Sequence, residues 1–122
     1  MIPRLLIVED DPELQELYVT MLEGLECEIV PAYDGQEALA KIDDARPDLL
    51  ILDILLDELM GDALFQQLRQ DPRYARLPVV VISVLSAHRC RELFDFDDIV
   101  VFLRKPFRRE QLLEAVRAGL SI

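Results

Sequence analysis

Four short stretches of uninterrupted apolar residues constrain this chain most: Leu5 to Val8, Leu49 to Leu52, Val79 to Ile82 and Ile99 to Leu103. A strand with one wet face alternates apolar and polar residues. A short run with no polar member is the mark of a parallel strand covered on both faces, so these four read as central strands. A fifth run, Cys27 to Val30, is interrupted by Glu28 and preceded by Glu26, which places it near a sheet edge.

Helical periodicity fills the gaps. Leu14, Leu17, Tyr18, Met21, Leu22 and Leu25 fall on one stripe, opened by Asp11 as N-cap and Pro12 in the first turn. Asp34 and Glu37 resemble a capping box ahead of Ala38, Leu39 and Ile42, and Pro47 stops that helix. Leu64, Phe65 and Leu68 mark a third helix that ends before Asp71 and Pro72. His88 to Leu93 gives a short fourth, and Leu112, Leu113, Val116 and Leu120 a fifth. Five strand–helix units with short connections imply right-handed crossovers. The expected fold is therefore α/β: a doubly wound five-stranded parallel sheet with five helices, in the flavodoxin-like order 2-1-3-4-5.

The 122 residues form one domain, 1–122, large enough to bury a core without disulfides or a structural metal. Cys27 and Cys90 belong to no ligand cluster and suit a reducing compartment. The opening MIPRLLIVEDD is too short in apolar residues for a signal peptide or a membrane span, so the expected location is the cytoplasm. A formal charge of −11, from 13 basic and 24 acidic residues, argues against direct nucleic-acid and membrane partners. Arg104, Lys105, Arg108 and Arg109 form the one basic cluster.

Ligands of open α/β sheets bind beyond the carboxyl ends of the strands, near the point where strand order reverses. There the apolar runs give way to Glu9, Asp10 and Asp11, to Asp53, to Ser83, and to Arg104 and Lys105 before Pro106. Each residue alone has an ordinary explanation as a loop or capping residue, and Asp11 keeps it. The order 2-1-3-4-5 nevertheless gathers Glu9, Asp10, Asp53, Ser83 and Lys105 on one rim. Two carboxylates about 4 Å apart repel by roughly 4 kcal/mol at an effective dielectric of about 20. Three of them call for a cation, and all-oxygen ligands on an open rim suit Mg²⁺. Lys105 offsets the remaining negative charge and leaves room for one further anion.

In order and spacing, LLIVEDD, LLILDILLDELMG, VVVISVL and FLRKPF resemble the bacterial two-component response-regulator receiver domain, over essentially the whole chain. Ser83 stands 30 positions and Lys105 52 positions after Asp53, a joint spacing far more specific than any single motif. The resemblance implies that Asp53 is the phosphoacceptor, taking a phosphoryl group from a histidine of a sensor kinase, from a phosphotransfer protein, or from a small donor such as acetyl phosphate. It further implies Mg²⁺ held by Glu9, Asp10, Asp53 and the backbone carbonyl of Leu55, with Lys105 as counter-charge. Ser83 and Phe102 become switch residues that alter the surface of helix 4, strand 5 and helix 5, and the Lys105–Pro106 bond becomes cis. The chain is then a phosphoacceptor that assists its own chemistry, not an enzyme on a separate substrate. Its partners are a kinase, a downstream protein and, as a further candidate, a second copy of itself.

Two features depart from the family pattern: Asp57 stands where proline is usual, beside Glu58, and Val84 replaces a small residue. Leu55 and Leu85, two positions beyond Asp53 and Ser83, stand where the resemblance implies that hydrolysis is tuned, and as apolar residues they are expected to hinder an attacking water. Without the resemblance, Phe102 reads as core, Gly61 as a turn residue and His88 as surface. The competing functions are a degenerate receiver that only binds proteins, and an aspartyl phosphohydrolase. The latter usually needs a second acid where Leu55 stands.

Overall fold

The computed structural model describes residues 2–54, 60–93 and 96–122. Five strands, β1 (Arg4–Val8), β2 (Glu28–Ala32), β3 (Leu49–Asp53), β4 (Val79–Ser83) and β5 (Val100–Arg104), alternate with five helices. These are α1 (Pro12–Met21), α2 (Gly35–Ala45), α3 (Met60–Gln70), α4 (Ala87–Leu93) and α5 (Arg109–Leu120). Every strand pairing is parallel, and the order is β2-β1-β3-β4-β5, as the sequence implies.

Two apolar layers sandwich the sheet. One is built on Leu6, Leu50, Leu52, Val79 and Val81 with Ala38, Ile42, Phe65 and Leu68; the other on Leu5, Ile7, Ile51, Val80 and Ile82 with Tyr18, Leu22, Leu112 and Val116. Alternate residues of a single run thus serve opposite layers, which is why β1, β3 and β4 carry no polar residue before their ends.

The edges correct the sequence reading. β5 is an edge strand, not a central one: it pairs only with β4, and Val101 and Phe102 are half-buried. β2 lies one position later than Cys27 to Val30 at its start and runs through Pro31, which an edge strand tolerates because one side of its ladder is unpaired. In α1, Leu17 is 43% exposed. The buried line runs instead through Gln15, Tyr18 and Leu22, because a polar side chain finds backbone partners beneath the helix. Gly61 lies in the first turn of α3, not in a turn outside it.

The start signals behave as their chemistry requires. Asp11 caps α1 by accepting from the Glu13 N–H at 2.9 Å. Asp34 caps α2 by accepting from the Glu37 N–H at 2.7 Å, while the Glu37 carboxylate accepts from the Tyr33 N–H at 2.9 Å, one residue ahead of the cap. Among the described residues no helix is long and apolar enough to cross a membrane.

Candidate functional site

Asp53 is the last residue of β3, paired across the sheet with Ile82, and its side chain has no solvent exposure. Lys105 follows β5, and its backbone N–H donates to the Ser83 carbonyl at 2.7 Å, which ties it to the end of β4. From there its ammonium stands 2.9 Å from Asp53 Oδ2. The Lys105–Pro106 peptide bond is cis.

Glu9, the residue after β1, is 3% exposed, and its carboxyl faces Asp53. Burial first, and then the neighbouring Asp53, push its pKa up to about 9, while the Asp11 N–H at 3.2 Å acts in the opposite sense. An acid kept protonated beside a buried carboxylate is the signature of a site short of positive charge. Asp53 Oδ1 adds to it: this oxygen is buried and receives no amide, ammonium or phenol donor among the described residues. Asp10 is exposed at the same strand end and reaches the Glu9 carboxyl. Among the described residues no three acidic, histidine or cysteine side chains are already drawn into a cage. The donor set is thus a rim of carboxylate oxygens around a buried acid, which fits a hard divalent cation that keeps part of its water shell. The Leu55 carbonyl, Asp57 and Glu58 lie outside the described residues.

Ser83 ends β4 and is 3% exposed; its hydroxyl accepts from the Leu85 N–H at 3.0 Å. Leu85 packs against the α2/α3 layer, whereas Val84 is 45% exposed. Phe102 sits edge-on to Phe96 at 5.9 Å, with the Arg91 guanidinium 4.7 Å above its ring. Its partners are therefore one half-buried ring and one exposed cation.

The basic cluster disperses. Lys105 turns into the site, the Arg104 guanidinium donates to the Val84 carbonyl at 3.2 Å, and Arg109 donates to the Glu23 carbonyl at the end of α1. His88 is an exposed residue paired with Glu92 at 2.6 Å. Both cysteines are free, and burial pushes their thiols up.

Two residues of the site are hidden from periodicity. Tyr18 donates its hydroxyl to Asp53 Oδ2 at 2.5 Å, so this oxygen is held by the phenol and the ammonium together. Gln15 is buried, and its amide nitrogen lies 2.9 Å from the Ile7 carbonyl, 3.2 Å from that of Glu9 and 3.0 Å from that of Ala32, clamping the ends of β1 and β2 directly beneath the acids. Tyr18 falls on the apolar stripe and reads as packing. Gln15 is a polar residue three positions before it, and that interruption was the available signal.

A profile of the response regulator receiver domain matches residues 5–117. The DNA-binding dual master transcriptional regulator RpaA of Synechocystis is 36% identical over 97% of this chain, which spans about half (49%) of that regulator's length. Among solved structures, the signal receiver domain of a signal transduction histidine kinase from Syntrophus aciditrophicus superposes with a TM-score of 0.83 at 33% identity, covering 98% of this chain and 90% of that one. The receiver domain of the Pseudomonas aeruginosa sensor histidine kinase PA1611, which carries a magnesium ion in its active-site cleft, shares the fold with a TM-score of 0.84 at 24% identity, each chain covered in full.

Proposed function

This chain belongs to the response regulator receiver domain family, and on that premise we propose that it takes a phosphoryl group onto Asp53 from a phosphohistidine of a sensor kinase or phosphotransfer protein, or from acetyl phosphate. The observation that carries the reading is the fully buried Asp53 carboxylate, with the Lys105 ammonium at 2.9 Å and the Tyr18 hydroxyl at 2.5 Å on one oxygen and neither of them on the other. Oδ1, the oxygen that neither Lys105 nor Tyr18 occupies, attacks phosphorus, the P–N bond of phosphohistidine or the P–O bond of acetyl phosphate breaks, and imidazole or acetate leaves with the bonding electrons. Lys105 stays beside the carboxyl group and offsets the negative charge brought in by the donor. Glu9, Asp10, Asp53 and the Leu55 carbonyl would hold Mg²⁺, which when bound supplies further positive charge to the phosphoryl oxygens. The magnesium of the PA1611 receiver supports that choice of ion.

The response follows from what faces the new phosphoryl group. The Ser83 hydroxyl, now an acceptor for Leu85, can turn to donate to a phosphoryl oxygen and pull the β4–α4 connection with it. Phe102 then exchanges its place under Arg91 for the space vacated, and the α4, β5 and α5 surface changes for a downstream protein. The chain acts as its own phosphoacceptor and turns over no separate substrate. Leu55 and Leu85 slow access of hydrolytic water.

Incubation with acetyl phosphate and Mg²⁺, read by intact mass, tests this. One phosphoryl adduct on the wild type and none on Asp53→Asn is the expected result. Equal labelling of both chains, or none on a folded wild type, overturns it and leaves the chain an interaction module only.

A further inference from the structure

We infer that Tyr18 is a positioning residue that holds Asp53 in its free-carboxylate state and shortens the life of the phosphorylated form; this rests on Asp53 being the phosphoacceptor. Two donors, the Tyr18 hydroxyl at 2.5 Å and the Lys105 ammonium at 2.9 Å, converge on Oδ2, whereas Oδ1 receives neither, and the only further group described as facing this carboxylate is the Glu9 carboxyl. The two oxygens of one carboxylate are therefore chemically unequal, and Oδ1 is the one free to bond phosphorus.

Once the P–Oδ1 bond forms, Oδ2 becomes the carbonyl oxygen of an acyl phosphate. The phenol that donated to a carboxylate then donates to a neutral carbonyl, and hydrogen bonds to charged acceptors are roughly twice as strong as neutral ones. The interaction thus favours the unphosphorylated state. In hydrolysis, water attacks phosphorus, the P–Oδ1 electrons return to the carboxylate, and inorganic phosphate departs. Negative charge growing on Oδ2 strengthens the Tyr18 hydrogen bond as that bond breaks, so the better-stabilised leaving group leaves faster.

The phenol is built to stay in place. Tyr18 is 1% exposed, and its ring stacks on Phe107 with centroids 6.2 Å apart and planes 23° from parallel. Phe107 lies two residues beyond Lys105, so the element that delivers the ammonium also packs the ring that delivers the hydroxyl. The ring also belongs to the apolar layer of Leu5, Ile7, Leu103 and Leu112, which bars rotation toward solvent. A tyrosine needed only for packing would place its hydroxyl anywhere satisfied; this one is aimed at Oδ2, the second oxygen of the reacting carboxylate.

The test compares the wild-type chain, Tyr18→Phe, a chain with 3-fluorotyrosine at position 18 alone, and Asp53→Asn. Each is treated with acetyl phosphate and Mg²⁺, freed of donor, and followed by intact mass. Loss of the adduct about tenfold slower in Tyr18→Phe is expected, with higher occupancy at equal donor concentration. Faster loss than wild type is expected with the more acidic fluorophenol. A site merely loosened by the substitution would admit water and lose the group faster, so the sign separates positioning from packing. Wild-type or faster decay in Tyr18→Phe, with the adduct still confined to Asp53, overturns the role of Tyr18 and leaves the phosphoacceptor intact. An unlabelled wild type overturns both. Should Tyr18→Phe fail to fold, the fluorotyrosine chain decides alone: unchanged decay there contradicts the inference.

Discussion

The two faces of the sheet treat the candidate site differently. On the α1/α5 face, Tyr18 and Gln15 are buried, and their polar tips reach Asp53 and the ends of β1 and β2. On the α2/α3/α4 face, Phe65, Phe96 and Phe102 form an edge-to-face chain that runs from the core out to Arg91. The first face fixes the resting state of the carboxylate with short hydrogen bonds. The second offers a ring that is only half-buried and held by soft contacts, which is what a moving part requires. A site with two rigid faces could not report on its chemistry, and one with two soft faces could not position it.

Substitutions that act on one face alone sharpen this contrast. Phe65→Ala removes a ring 1% exposed from the inner end of the aromatic chain and is expected to cost about 3–5 kcal/mol in urea unfolding. A loss below about 1 kcal/mol would show that this face is loosely packed throughout. Gln15→Leu strips three carbonyls of their shared donor and is expected to cost about 1–3 kcal/mol by the same measurement. Unchanged stability would mean that water replaces the amide, and the α1/α5 face would then not be the rigid one.

The acidity of the rim gives a third prediction. Glu9 binds a proton in the folded chain up to about pH 9, whereas in the unfolded chain it loses that proton near its ordinary 4.5. Between those values the folded state carries the extra proton, so metal-free stability falls as pH rises from the ordinary carboxylate range toward the alkaline side. Magnesium favours the ionised carboxylates, so it should restore stability most at the alkaline end and release a proton on binding. Chemical unfolding at several pH values with and without Mg²⁺ checks this, and a flat metal-free profile contradicts it. The smallest effect belongs to Arg91→Ala, about 0.5–1 kcal/mol of stability from an exposed cation–π contact. It should also shift the side-chain resonances of Phe102 while leaving those of Tyr18 in place; movement of both would join the two faces into one unit.

The strand runs and their polar ends carry the sheet order and the positions of Glu9, Asp53, Ser83 and Lys105, because burial on both faces leaves polar residues nowhere to stand except the rim. Periodicity could not tell Leu17 from Gln15. A helix stripe records which residues are apolar, whereas Gln15 is buried by three carbonyls that belong to other elements. Tyr18 was legible as buried but not as functional, since its ring satisfies the apolar pattern and only its hydroxyl meets Asp53. The continuous run at β5 suggests a central strand because its apolar residues are shared between the core and the half-exposed surface around Phe102. Asp57 and Leu55 stand outside the described residues.

The residue on which a phosphoryl group lands tests the role of Asp53 most directly. Fragmentation of the wild-type chain after acetyl phosphate and Mg²⁺ should place a single labile adduct on the Asp53 side chain. An adduct on any other residue, or a folded chain that takes up none at saturating donor, would contradict it.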